Sequence, residues 1–131
     1  MLAFPPRVFA EMIGHSYDGY PLEACGLLVG RGDRVDRFVA CTNEAASARI
    51  YAIPAKELLL AERAAEEEGF EIIGVFHSHT HSEPYPSPTD VEQAPDPDWH
   101  YVIVSLKREA PETRSYRIRA GAISEERVAV G

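Results

Sequence analysis

The sequence predicts an α/β (α+β) fold, a mixed and mostly antiparallel sheet flanked by helices. Two observations support this: two stretches have helical spacing of apolar residues, and several short apolar runs bounded by glycine are typical of strands. Their order along the chain is helix, hairpin, helix, strand, loop and further strands. The 131 residues are enough to bury one core, so we expect residues 1–131 to form a single domain.

The two helices are predicted from periodicity and from their ends. The first covers residues 5–20, begins at a Pro-Pro pair and places apolar residues at near-helical spacing. The second covers residues 54–68, begins at Pro54 and ends before Gly69, a typical C-terminal cap. Its inward face is expected to carry Leu58, Ala61 and Ala65.

Strands are predicted from apolar runs between turn residues. Residues 24–31 and 35–42 form a hairpin around the turn at 32–34, and residues 71–79 and 100–106 form two further strands. Residues 113–119 and 122–130 read as a C-terminal hairpin joined at Ala120-Gly121. The short run 50–53 reads as an exposed edge strand, which either accepts an extended peptide by strand addition or binds nothing.

Composition excludes some classes of function. The net charge of −8 argues against nucleic-acid binding, which needs basic surfaces. No apolar run reaches the length of about 18 residues that a membrane span needs, and the first residues lack a signal-peptide pattern. We therefore expect a cytoplasmic protein with no membrane partner. Cys25 and Cys41 are expected to be free thiols; Cys25 is either a small buried hydrophobe or a redox-sensitive group.

One segment, residues 77–90, contains most of the candidate metal-binding and catalytic residues. His77 and His79 end the strand 71–79, and the strand period of two places both side chains on the same face. A Pro-rich turn follows, and Ser87-Pro-Thr-Asp90 is a helix start with Ser at the N-cap, so Asp90 can return to the histidines. Two imidazoles and one carboxylate are the ligands of a catalytic zinc with one open position. The same residues are also compatible with an ordinary strand end and a capping box.

The spacing of these residues resembles the metal-binding signature of the JAMM (MPN+) metalloproteases. The matching pattern is His77-x-His79, seven residues, then Ser87-x-x-Asp90, with Glu23 far upstream. The resemblance implies that His77, His79 and Asp90 bind one zinc ion, that Ser87 stabilises the oxyanion and that Glu23 is the general base. Taken alone, an acid such as Glu23 before an apolar strand is more often a solvated strand end.

The resemblance extends to the bacterial branch that cleaves cysteine from a ubiquitin-like sulfur carrier. It includes residues 21–30 around Glu23, residues 85–91, residues 100–105 and residues 115–118. It implies a cytidine-deaminase-like MPN sandwich and a protein partner with a C-terminal Gly-Gly tail. It also suggests that the tail binds along Ile50, Tyr51 and Ala52.

Three other functions fit some of the same residues. A general JAMM isopeptidase would remove ubiquitin-like modifiers from lysine with the same five residues. An Fe(II) oxygenase uses two histidines and a carboxylate, although its usual His-x-carboxylate arrangement is absent here. A metal-free MPN scaffold would only bind partners. Thr80-His81 stands where many JAMM proteins have Pro, and His81 and Glu83 are alternative ligands or neighbours of the site.

Overall fold

A single eight-stranded sheet organises the fold and confirms the predicted α/β class. The computed structural model describes residues 1–131 and has three helices. The strands are β1 (Leu2–Phe4), β2 (Cys25–Arg31), β3 (Arg34–Cys41), β4 (Glu71–His79), β5 (His100–Ser105), β6 (Glu112–Arg119), β7 (Ala122–Glu126) and β8 (Val128–Val130). The helices are α1 (Pro6–Gly19), α2 (Ala55–Glu67) and α3 (Pro88–Glu92). None of the three has the length and hydropathy of a membrane span.

The central strand of the functional region is β4. The strand order is β7-β6-β5-β4-β2-β3-β1-β8, so β4 lies between β2 and β5 and is hydrogen-bonded on both sides. It runs antiparallel to β2 and parallel to β5. A strand paired on both edges has little freedom to move, and the residues at its end are therefore held in fixed directions.

The two faces of the sheet carry separate cores. On one face Met12 of α1 packs in a cluster with Phe76, and on the other Ala61 of α2 packs in a cluster with Leu27 and Val75. Successive side chains of β4 thus pack into the cores on opposite faces of the sheet. Because His77 and His79 share the side of Val75, the predicted site lies on the α2 face. The predicted inward face of α2 is confirmed, since Ala61 and Ala65 are buried.

The C-terminal residues differ from the predicted hairpin. Residues 122–130 do not form one strand, because the chain leaves β6 at Arg127 and β8 pairs in parallel with β1. The strand β1 is itself only three residues long and was not predicted. A single residue separates β7 from β8, which stand at opposite ends of the strand order. The two edges of the sheet therefore lie close together and the sheet curls strongly.

The predicted strand at residues 50–53 is wrong, since these residues have no strand pairing. The side chain of Asn43 provides the physical reason. Its Oδ1 accepts from Ala52 N at 3.0 Å, and its Nδ2 donates to Ile50 O at 3.1 Å. Backbone groups that a strand would pair with a neighbour are thus bound to one side chain.

Candidate metal centre

The end of β4 brings two imidazoles together. His77 and His79 are 3% and 4% exposed, and their Nε2 atoms lie 3.1 Å apart. Their shared direction follows from the strand period, as predicted. Both are shielded from solvent on the α2 face, where Tyr51 stacks on the His77 ring with centroids 4.3 Å apart and an interplanar angle of 17°.

Helix α3 supplies the carboxylate through its N-terminal turn. Ser87 is the N-cap residue, its Oγ accepts from Asp90 N at 3.1 Å, and Ser87 N donates to Asp90 Oδ2 at 2.9 Å. This reciprocal capping box confirms the predicted helix start. It also turns the Asp90 side chain inward, where Oδ2 lies 3.1 Å from the Nε2 atoms of both His77 and His79.

The three ligand atoms fit a zinc ion. They form a triangle with all three sides at 3.1 Å. Zinc–nitrogen bonds of about 2.0–2.1 Å in tetrahedral geometry place ligand atoms about 3.3 Å apart. The remaining ring nitrogen of His79, Nδ1, lies 2.7 Å from the backbone carbonyl of Glu83. Because a carbonyl can only accept, Nδ1 donates, and in the neutral imidazole the lone pair is then on Nε2, the atom that faces the other two ligand groups.

Burial and the hydrogen bonds to Asp90 shift the pKa values of these groups in different directions. Burial lowers the pKa of His77, more than its hydrogen bond to Asp90 raises it. Burial also lowers the pKa of His79, but hydrogen bonds to Asp90 and to the Glu83 carbonyl raise it above its ordinary value. Burial raises the pKa of Asp90, yet the two histidine hydrogen bonds hold it far below its usual range. Asp90 is therefore an anion at neutral pH.

Glu23 lies beside the three ligand groups. In the β2–β4 ladder Cys25 is opposite His77, and Ser78 N donates to Ala24 O at 2.9 Å. Continuing this antiparallel register places Glu23 opposite His79, on the same face. Glu23 is 3% exposed and its Oε1 has no hydrogen-bond partner. The solvated strand end that such a residue more often forms is therefore not what the structure shows.

Burial dominates the electrostatics of Glu23. It raises the pKa from 4.5 to about 7, with the His79 imidazole lowering it and the Asp90 charge raising it. A carboxyl group whose pKa lies near neutrality can take up and release a proton under physiological conditions. A buried, unpaired carboxyl of this kind in a site is a frequent mark of catalysis.

Asn43 and Ser78 shape the site, and sequence reasoning missed both. Asn43 Nδ2 donates to the backbone carbonyl of Glu23 at 3.0 Å and also holds the 44–52 loop. Ser78 Oγ accepts from Ala24 N at 2.8 Å, which fixes the residue after Glu23. The only local indication of the role of Asn43 is that an asparagine directly follows a predicted strand. No local pattern indicates the role of Ser78, because its hydrogen-bond partner Ala24 is 54 residues away in the sequence.

The other candidate residues from the sequence, and in addition Trp99, lie around this centre. Ile50 is exposed, whereas Tyr51 and Ala52 are half-buried. His81 is exposed, and its Nε2 lies 3.3 Å from the Tyr20 hydroxyl. Trp99 lines an apolar cavity of about 220 Å³ that Tyr51 also lines.

The two cysteines are free and buried. Cys25 lies opposite Cys41 on one side and opposite His77 on the other. Burial raises the pKa of both thiols to about 12, so both are protonated and poorly reactive at neutral pH. Their environment is that of small buried hydrophobic residues.

The fold and the site define the class as a JAMM (MPN+) peptidase, a hydrolase. Residues 5–119 match the family model described as prokaryotic homologs of the JAB domain, and the chain belongs to this family. The relatives described below, which are named as a peptidase and a desampylase, support a hydrolase rather than an Fe(II) oxygenase or a non-catalytic scaffold.

Two relatives and two solved structures support this membership. The CysO-cysteine peptidase of Mycobacterium tuberculosis is 43% identical over 122 residues, which cover 91% of this chain and 84% of the relative. The desampylase of Haloferax volcanii is 35% identical over 102 residues, which cover 72% and 73%.

Among solved structures, a protein of Desulfitobacterium hafniense superposes with a TM-score of 0.88 at 32% identity, covering 100% of this chain and 93% of that one. A JAB1/MPN domain protein of Archaeoglobus fulgidus has a TM-score of 0.66 at 16% identity, covering 100% and 97%, and shows the shared fold.

Proposed function

We propose that this chain is a zinc-dependent peptidase that cleaves the amide bond between the C-terminal glycine of a ubiquitin-like sulfur-carrier protein and cysteine. The observation that carries this proposal is the convergence of His77 Nε2, His79 Nε2 and Asp90 Oδ2 beside the buried, unpaired carboxyl of Glu23. The 43% identity to a CysO-cysteine peptidase supports the class of substrate. Residues 1–131 act in this proposal as one domain, in the cytoplasm.

In this proposal His77, His79 and Asp90 hold one zinc ion. Bound zinc would act as a Lewis acid, polarising the scissile carbonyl and lowering the pKa of a water molecule from about 15.7 to about 7. The capping box orients Asp90, and the Glu83 carbonyl orients His79. Hydrogen bonds from the chain itself therefore orient two of the three ligand groups.

Glu23 moves the proton in this mechanism. Its Oε1 takes a proton from the attacking water, whose oxygen adds to the glycine carbonyl carbon. The same carboxyl then delivers the proton to the cysteine nitrogen as the carbon–nitrogen bond breaks. The products are the carrier with a free C-terminal carboxylate and free cysteine. A pKa of about 7 suits both halves of this transfer.

Ser87 is the proposed oxyanion donor. A lone pair of its Oγ is used by Asp90 N, but the hydroxyl hydrogen can still donate to a substrate. As negative charge develops on the glycine carbonyl oxygen, this donor stabilises it; loss of one such donor costs about 10²- to 10³-fold in rate. Because Ser87 is the N-cap of α3, its position is fixed by the helix that also carries Asp90.

The Gly-Gly tail of the carrier is proposed to reach the centre along residues 50–52. Tyr51 connects this segment to the centre, since its ring stacks on His77. The backbone there is not a strand, so the tail would meet side chains and loop backbone rather than a regular strand edge. The loop is ordered by Asn43, and binding therefore requires little further ordering of the enzyme.

A second candidate is a general isopeptidase that releases ubiquitin-like modifiers from lysine. The identity to the desampylase of Haloferax volcanii favours it, and it would use the same residues. The two candidates differ in the amine that leaves. A carrier–cysteine adduct and a lysine isopeptide of the same carrier, assayed side by side, separate them.

The test is cysteine release from a purified carrier–cysteine adduct in the presence of zinc. We expect turnover with the wild-type protein, a loss of about 10²- to 10⁴-fold in Glu23→Gln and zinc retained in that variant. Glu67→Gln, an exposed glutamate of α2, is the matched control and should keep full activity. Unchanged turnover in Glu23→Gln would reject the assigned base. Full zinc content in Asp90→Ala would reject the ligand set.

A further inference from the structure

The loop that supports His79 is held by its backbone carbonyls. Residues 82–84 belong to no helix or strand, yet three successive carbonyls each accept a hydrogen bond from a side chain of a different strand. The pairs are Ser105 Oγ to Ser82 O at 2.6 Å, His79 Nδ1 to Glu83 O at 2.7 Å, and Tyr116 Oη to Pro84 O. The outer two bonds therefore fix the position of the middle carbonyl.

The two outer donors are rigidly placed. Ser105 and Tyr116 are each 2% exposed and lie on β5 and β6, which pair with each other. Burial raises the pKa of Tyr116 to about 12, so its hydroxyl is a proton donor throughout the physiological range. Neither residue touches the three ligand atoms, and neither is used by the proposed mechanism.

The other attachment of the loop is weaker. The Glu83 carboxylate bonds to Lys107 and Arg108, but all three side chains are about half exposed to solvent. Ion pairs at the surface contribute little, because water screens them and both side chains lose conformational freedom. Breaking a buried hydrogen bond has a larger effect, because it leaves the buried acceptor unsatisfied. The Glu83 carbonyl also accepts from Tyr85 N at 2.8 Å, but this bond lies within the loop and does not tie it to the sheet. The two buried hydroxyls therefore set where the loop, and with it the Glu83 carbonyl, lies relative to β5 and β6.

We propose that Ser105 and Tyr116 are positioning residues that hold the Glu83 carbonyl against His79 Nδ1, so that the Nε2 lone pair faces the metal centre. This inference rests on the proposed metal centre. Without the two hydroxyls, the loop carbonyl is free to shift, and His79 can place its proton on either ring nitrogen. A proton on Nε2 blocks metal binding, because a metal needs the lone pair of that atom.

The test uses single and double variants with matched controls. Tyr116→Phe and Ser105→Ala remove only the hydroxyls that hold the loop. Tyr101→Phe removes a buried hydroxyl that donates to Asp96 O at 2.6 Å, and Ser16→Ala removes one that donates to Met12 O at 3.0 Å. These two controls break bonds of the same kind away from the 82–84 loop.

Two measurements are made on each protein. The zinc dissociation constant is obtained by competition with a chromophoric chelator, and the tautomer of His79 in the metal-free protein is read from its imidazole ¹⁵N chemical shifts. We expect the double variant to bind zinc about 10-fold more weakly, at the low end of the roughly 10- to 100-fold typical for outer-shell partners. Its Nδ1–H tautomer should also decrease, while both controls match the wild type in affinity and tautomer.

Three results would overturn the proposal: an unchanged tautomer in the double variant, an unchanged zinc dissociation constant, or an equal loss in the controls. If the proposed metal centre itself were wrong, the wild-type protein would bind no zinc, and this result differs from the three results above. The tautomer measurement needs no metal and would still decide the positioning role.

Discussion

The metal-free protein should become more stable when its proposed base is neutralised. Glu23 is buried and its Oε1 has no hydrogen-bond partner, and burial raises its pKa from 4.5 to about 7. Because the pKa of the folded state is the higher one, the stability contributed by the protonated carboxyl is complete below pH 4.5. It is lost as the pH rises through about 7. The ionised group therefore destabilises the folded protein at pH 8.

The size of the effect follows from the pKa. One pKa unit corresponds to about 1.36 kcal/mol, so a rise from 4.5 to about 7 amounts to about 3 kcal/mol. Glu23→Gln keeps the shape of the side chain and removes the charge. We expect it to raise the free energy of unfolding by up to about 3 kcal/mol at pH 8 and to change it little at pH 4.

The assay is urea unfolding of the chelator-treated protein at several pH values, followed by circular dichroism. Glu67→Gln is the control, since Glu67 is exposed and its substitution should leave the unfolding curve nearly unchanged. Equal stability of Glu23→Gln and wild type at pH 8, or a less stable variant there, would refute the claim that the buried, ionised carboxyl lowers the free energy of unfolding. Such a destabilising group is expected where a residue is kept for function.

Other substitutions test how the sheet and the site are built. Gly74→Ala would place a Cβ 2.4 Å from the backbone oxygen of His100, and we expect overpacking to cost about 1–3 kcal/mol in urea unfolding. Burial raises the pKa of Glu126, but its hydrogen bond to His100 holds it below the ordinary value. Glu126→Gln should therefore cost about 1.5–3 kcal/mol at pH 7, and the difference from wild type should shrink as the pH falls below 4.5 through the folded pKa. Tyr51→Leu removes the ring stacked on His77, a contact worth about 0.5–1.5 kcal/mol; chelator competition should show zinc binding weakened by about 2- to 10-fold.

Local sequence patterns predicted much of the fold and the arrangement of the site. The alternation along β4 correctly placed His77 and His79 on one face, and Ser87 with Asp90 correctly marked the start of α3. Both features depend on a few neighbouring residues. The return of Asp90 to the histidines could be predicted for the same reason, because the capping box fixes the direction of its side chain.

Features that depend on distant residues could not be predicted. The placement of Glu23 opposite His79 follows from the β2–β4 register, which is set by pairing across about 50 residues. The failure of residues 50–53 to form a strand comes from Asn43, whose side chain binds that backbone. The division of residues 122–130 at Arg127 reflects the curling of the whole sheet, which no local pattern encodes.

The central claim is that His77, His79 and Asp90 share one zinc ion beside Glu23, and anomalous diffraction from a crystal of the zinc-loaded protein tests it most directly. At the zinc absorption edge we expect one strong peak about 2.0–2.1 Å from both Nε2 atoms and about 2.0–2.2 Å from Asp90 Oδ2. A peak coordinated by other side chains, or zinc-loaded crystals without a peak at this position, would contradict the account.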